Sequence, residues 1–196
     1  MANADKPMGL KPVSHLLGLP WSGGCHVYNI DSGNAGAFAI GDPVISSGTA
    51  DANGVPGITI GAAAGALRGA IVGFGKFETL MADPGNLDSN IVPATKTYDY
   101  YALVADDPFI IFETQEIGTG TQLTAVAVGL NADLVSGTNN GYVSGWLLNN
   151  VGEATTSTLN VKLLGLARRS DNAFGAYAKW LVMINNHELK AGSTGI

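Results

Sequence analysis

One cysteine, Cys25, is all that the 196 residues contain. An intrachain disulfide is therefore excluded, and with it the small secreted modules whose folds are stapled by such bonds. Charge is scarce as well: 13% of residues are charged, with 10 Lys and Arg against 16 Asp and Glu, a formal net charge of −6. That balance repels a phosphate backbone, and no basic cluster exceeds the pair Arg168-Arg169, so nucleic acid is not an expected partner. Residues Met1 to Lys11 include Asp5, Lys6 and Pro7 and hold no apolar run. Neither a signal peptide nor a membrane span is expected, and the lone thiol suits folding in a reducing bacterial cytoplasm. No segment repeats at a fixed period of about 20 to 50 residues, which argues against a solenoid or a propeller.

What the chain has in plenty is glycine, 27 of 196, together with 46% hydrophobic residues. Glycine at about twice its usual share of roughly 7%, among evenly spread aromatic and β-branched residues, predicts many short strands and tight turns. Strand-like segments are His26-Val27-Tyr28-Asn29-Ile30, Ala37-Phe38-Ala39-Ile40, Gly57-Ile58-Thr59-Ile60 and Gly69-Ala70-Ile71-Val72-Gly73-Phe74. Asn53-Gly54 supplies a hairpin turn, and Pro84-Gly85-Asn86 a surface loop. Later, residues 158–166 and 178–185 read as a hairpin across the polar turn Arg168-Arg169-Ser170-Asp171-Asn172. In its second strand Trp180, Val182 and Ile184 alternate with Leu181 and Met183, so both faces should be covered, as in a central strand or one pressed against a neighbouring subunit. Residues 121–130 suit either a strand or a short helix. The expected fold is mostly β, with small antiparallel barrel or sandwich regions and an extended N-terminal arm. The arm and the strand it leads into take residues 1–30, a first β region 31–104 and a second 105–196, with one continuous domain as the alternative.

The arm holds Pro7, Pro12 and Pro20, too many for a strand of its own to be expected, yet Met8, Leu10, Val13, Leu16 and Leu17 are too apolar for a solvated tail. It should lie on something, and these five residues are the candidate binding site.

Catalytic and ligand motifs are missed rather than met. Gly141-Tyr142-Val143-Ser144-Gly145 is off by one from a nucleophile elbow. Gly75-Lys76 is followed by Phe77, where a phosphate loop needs Ser or Thr, and Glu78 replaces the third glycine of a dinucleotide fingerprint. Adjacent Cys25 and His26 face opposite sides of a strand, and His15 and His187 have no partner at ligand spacing, so no metal is expected. Asp51-Ala52-Asn53-Gly54 lacks the later ligands of a calcium loop. Asp106, Asp107, Glu113 and Glu116 could pair for acid–base work, but a solvated face is the simpler reading. No cofactor and no enzymatic activity are expected.

Several blocks resemble a known group. Lys6-Pro7-Met8-Gly9-Leu10-Lys11-Pro12-Val13, Phe38-Ala39-Ile40-Gly41-Asp42-Pro43-Val44, Ala105-Asp106-Asp107-Pro108 and Phe112-Glu113-Thr114-Gln115-Glu116 are similar to segments of tailed-phage virion structural proteins. So are Val128-Gly129-Leu130-Asn131-Ala132-Asp133-Leu134, Leu164-Gly165-Leu166, Asp171-Asn172-Ala173-Phe174-Gly175 and Trp180-Leu181-Val182-Met183-Ile184-Asn185. The stretch from Gly41 to Phe74 also resembles the small β domain of capsid decoration proteins. The resemblance implies a head decoration (cement) protein on the outer capsid surface of the virion, bound to the major capsid protein, stabilising the lattice and forming a homotrimer. The alternative is another virion structural protein, such as a head-fibre or receptor-binding module. The major capsid subunit itself is disfavoured, because its long amphipathic spine helix has no counterpart in the sequence.

Overall fold

Alternation in the last strand fixes the centre of the molecule. In β14 (Lys179–Ile184), Trp180, Val182 and Ile184 are buried while Leu181 and Met183 are partly exposed, the two-residue period of a pleated strand. The computed structural model, which describes residues 3–75 and 90–190, is nearly all β. The loop expected at Pro84-Gly85-Asn86 and the stretch Lys76-Phe77-Glu78 lie outside the described residues.

β14 is the middle strand of a five-stranded antiparallel sheet. On one side it pairs with β9 (Ile110–Gln115), which pairs with the edge strand β1 (Lys11–His15). On the other it pairs with β13 (Val161–Leu166), which pairs with β10 (Asn131–Ala132). The β13–β14 hairpin is the one that its two apolar runs predicted, and Asn172 holds its turn. The Asn172 amide donates to the carbonyls of Ala167 and Lys179, and its oxygen accepts the Lys179 N–H.

The second assembly is a closed barrel of β2 (His26–Ile30), β5 (Pro56–Ile60), β4 (Pro43–Ala50), β6 (Gly69–Gly75) and β8 (Tyr100–Ala105), taken in spatial order. All of its pairings are antiparallel except β2 with β5. Closure leaves the barrel no open edge. Asn53-Gly54 does turn β4 into β5: Gly54 has φ +80°, and one carboxylate oxygen of Asp51 accepts the N–H groups of Asn53 and Val55. Short ladders join β3 (Phe38–Ala39) to β7 (Ile91–Val92) and β11 (Leu134–Val135) to β12 (Leu147–Leu148). Residues 121–130 are neither strand nor regular α-helix; they contain one 3₁₀ turn, Ala125–Ala127. Leu67, Ala70 and Ala105 of the barrel side pack in the same buried cluster as Phe112, Trp180 and Val182, so the two β assemblies share a core.

The N-terminal segment corrects one expectation. It is extended, but residues 11–15 form β1 rather than a free arm. Pro12 is tolerated because β1 is an edge strand whose register shifts between Pro12 and Ser14; edges and bulges are where a missing N–H costs no ladder bond. Leu10 is fully buried in the shared core, and its N–H donates to the Gly41 carbonyl at 2.8 Å. Gly9 and Gly41 make this approach possible. Both have positive φ, +64° and +94°, and a Cβ on either would collide with backbone of the opposite segment.

Candidate docking surface

Beyond β1 the chain reverses tightly. The His15 N–H donates to the Leu19 carbonyl, the Gly18 N–H to that of His15, and the Trp21 N–H to that of Val13. Gly18, at φ +85°, makes the turn. The tip carries Leu16, Leu17 and Leu19, with Leu17 88% exposed. The Leu16 N–H donates to the Phe109 carbonyl, which brings Phe109, itself exposed, next to the tip in space. The β8–β9 loop that presents Phe109 is organised by Asp107. Its carboxylate accepts the Phe109 N–H at 2.9 Å and lies 3.3 Å from His15 Nδ1. Four large apolar side chains thus stand in solvent at one end of a five-stranded sheet, held by backbone hydrogen bonds.

Single exposed apolar residues are ordinary; contiguous ones mark contact surfaces. Of the five candidate binding residues, the structure places Leu16 and Leu17 on this tip and leaves Val13 half-buried. Met8 lines an apolar groove of about 430 Å³ at the base of the hairpin, with Pro12, Trp21, Ile40 and Val143. Leu10, in the core, is removed from the set. Leu19 and Phe109 join it. Phe109 is 90 residues from Leu19 in sequence, and only tertiary structure brings it there.

Of the four carboxylates read as a solvated face, only Asp107 is exposed. Asp106, Glu113 and Glu116 are buried, and each has its own donors. Asp106 accepts from Tyr28 OH at 2.6 Å and lies 2.7 Å from His26 Nδ1. Glu113 pairs with Arg169 at 3.1 Å. Glu116 accepts the Leu123 N–H and the indole N–H of Trp180, while burial pushes its carboxyl above the ordinary value. They do not share a cleft. The Asp106–His26 pair has the geometry of a base and its orienting acid, yet among the described residues no hydroxyl or thiol is hydrogen-bonded to His26. The half-buried Cys25 nearby has its thiol pushed up by burial and by the Asp106 carboxylate, the reverse of what activates a nucleophile. Among the described residues no group of three or more His, Cys, Asp or Glu could hold a metal ion, and no helix is long and apolar enough to cross a membrane.

Compared with known proteins, the chain matches no family model, no curated protein and no solved structure.

Proposed function

We propose that this chain is a structural, non-enzymatic head decoration protein of a tailed phage, seated on the outside of the capsid through the major capsid protein and acting as a homotrimer. The observation that supports this most is the leucine tip. Leu16, Leu17, Leu19 and Phe109 are presented in advance on a rigid sheet end, so little conformational entropy is lost when they enter a pocket on a partner. The buried polar groups, by contrast, are used within the fold. A cyclic assembly would bring several tips to one lattice, and their combined avidity would exceed that of any one alone.

The receptor-binding alternative has its own observation. Tyr98 and Tyr100 stack at 4.8 Å between ring centroids, with Tyr98 exposed, the kind of aromatic platform on which a sugar ring can lie.

The experiment is to mix purified protein with undecorated capsids and measure co-sedimentation for the wild type and for Leu17→Ser with Leu19→Ser. The decoration reading expects binding by the wild type and its loss in the double variant. Equal binding by both would move the anchor off the tip, and no binding by the wild type would overturn the reading.

A further inference from the structure

We infer that the chain binds further copies of itself through a socket at the β13–β14 turn end of the five-stranded sheet, filled by the turn around Val151 and Glu153 of the next copy. The socket, about 450 Å³, is lined by Leu164, Leu166, Leu181, Arg168, Arg169 and Asn172. Its origin is visible in the register. β13 shifts between Leu163 and Gly165, and Gly165 stands opposite Leu181. A glycine at that place leaves a hollow where a side chain would have covered the outward face of Leu181.

Charge selects the occupant. The chain is acidic, with a net charge of −6, and the socket holds its one Arg-Arg pair. Arg169 is already engaged by Asp171, at 2.9 and 3.0 Å, and by Glu113. Arg168 is exposed and makes no ion pair among the described residues. An apolar floor beside an uncommitted guanidinium fits a segment that pairs a branched apolar side chain with a carboxylate.

The turn at residues 150–153 is such a segment. Val151 is 66% exposed, and Glu153, two residues on, is exposed too. The turn is held in shape: the Val151 N–H donates to the Asn149 side chain, and the Asn150 amide donates to the carbonyls of Ile117 and Thr119. Asn150 also hydrogen-bonds Glu116, which takes the indole N–H of the inward-facing Trp180. None of residues 150–153 lines the socket of its own chain, which leaves the socket to the turn of another copy. Turn and socket are different surfaces, and a contact of this kind repeats head to tail until a ring closes. It does not rest on the capsid reading, and the leucine tip takes no part in it.

Sedimentation velocity on the full chain is the test, with circular dichroism to confirm folding; both substituted residues are exposed. The wild type should assemble at micromolar concentration, and Arg168→Glu or Glu153→Arg alone should raise the dissociation constant about tenfold or more, since close charge pairs across interfaces couple by at least about 1.5 kcal/mol. The double variant Arg168→Glu with Glu153→Arg should assemble better than either single one, because every contact is then swapped. A monomeric wild type would overturn the inference, as would single variants that assemble as well as the wild type. A double variant no better than the singles would remove the Val151 turn as occupant and overturn it equally.

Discussion

Replacing Leu10 by Ala separates a docked N-terminal segment from a free one. Leu10 is wholly buried among Phe112, Ala70 and Leu67, so its truncation loses both transfer free energy and packing, a cost of about 2–5 kcal/mol for Leu→Ala in a core. In a chain of this size each kcal/mol moves the melting temperature by about 2–4 °C, so a mid-range loss of about 3 kcal/mol is a fall of about 6–12 °C. Leu17→Ala is the internal control. At 88% exposure it should stay within about 0.5 kcal/mol of the wild type. Urea unfolding followed by tryptophan fluorescence and by far-ultraviolet circular dichroism measures both. If Leu10→Ala proves as harmless as Leu17→Ala, β1 is not packed as described. The same reasoning rules out deletion of residues 2–20 as a clean binding experiment. It would strip an edge strand from β9 and uncover Phe112, and a loss of binding would then report unfolding.

Two further expectations concern the fold. Gly9→Ala forces a side chain into left-handed backbone and against the Gly41 carbonyl; it should cost at least about 1–3 kcal/mol, and urea unfolding indistinguishable from wild type would refute the Gly9–Gly41 contact. His187, 2% exposed, is depressed by burial from 6.5 to about 4. Its neutral form is favoured in the fold, so stability should be lost as pH falls from about 6.5 to about 4, by up to about 3 kcal/mol. The buried acids Asp42 and Glu116 are raised by burial, so their stabilising share is present at low pH and lost as pH rises through the raised values. The difference between wild type and His187→Gln isolates the histidine, and parallel stability–pH curves for the two would refute it.

The parts of this fold that were legible in the sequence are those written in local pattern. Apolar residues on both faces of residues 180–184 gave a central strand, although Leu181 and Met183 are only partly covered, and Asn53-Gly54 gave a hairpin, because both depend on neighbours a few residues away. β1 was hidden by its proline: an edge position with a register shift is decided by where the sheet ends, which no local window contains. The acid cluster was misread for the same reason. Tyr28 reaches Asp106 across 78 residues and Trp180 reaches Glu116 across 64, and burial that depends on such partners leaves no periodic trace. The docking tip was half legible. Leu16 and Leu17 stand out as apolar residues among prolines, but Leu10 looks the same in sequence and has the opposite fate.

Several of the sequence blocks read as similar to phage virion proteins fall at places where the fold is tightly specified. Gly9 and Leu10 of one block meet Gly41 of another in a close backbone approach between the N-terminal segment and the entry to β4. The carboxylate of Asp42 accepts the Ala39 N–H, Glu116 holds Trp180, and Asn172 ties the β13–β14 turn. Each is a place where only one or two residue types satisfy a backbone approach or a buried polar group. Leu16, Leu17, Leu19 and Phe109 lie outside every one of those blocks, as do Arg168, Val151 and Glu153. The tip is thus separate from these blocks, whereas the socket is not, since Leu164, Leu166, Asn172 and Leu181 of its lining belong to them. Substitutions confined to the exposed Leu17 and Leu19 of the tip, or to the exposed Arg168, should then change what the protein binds while its unfolding curve stays within about 0.5 kcal/mol of the wild type.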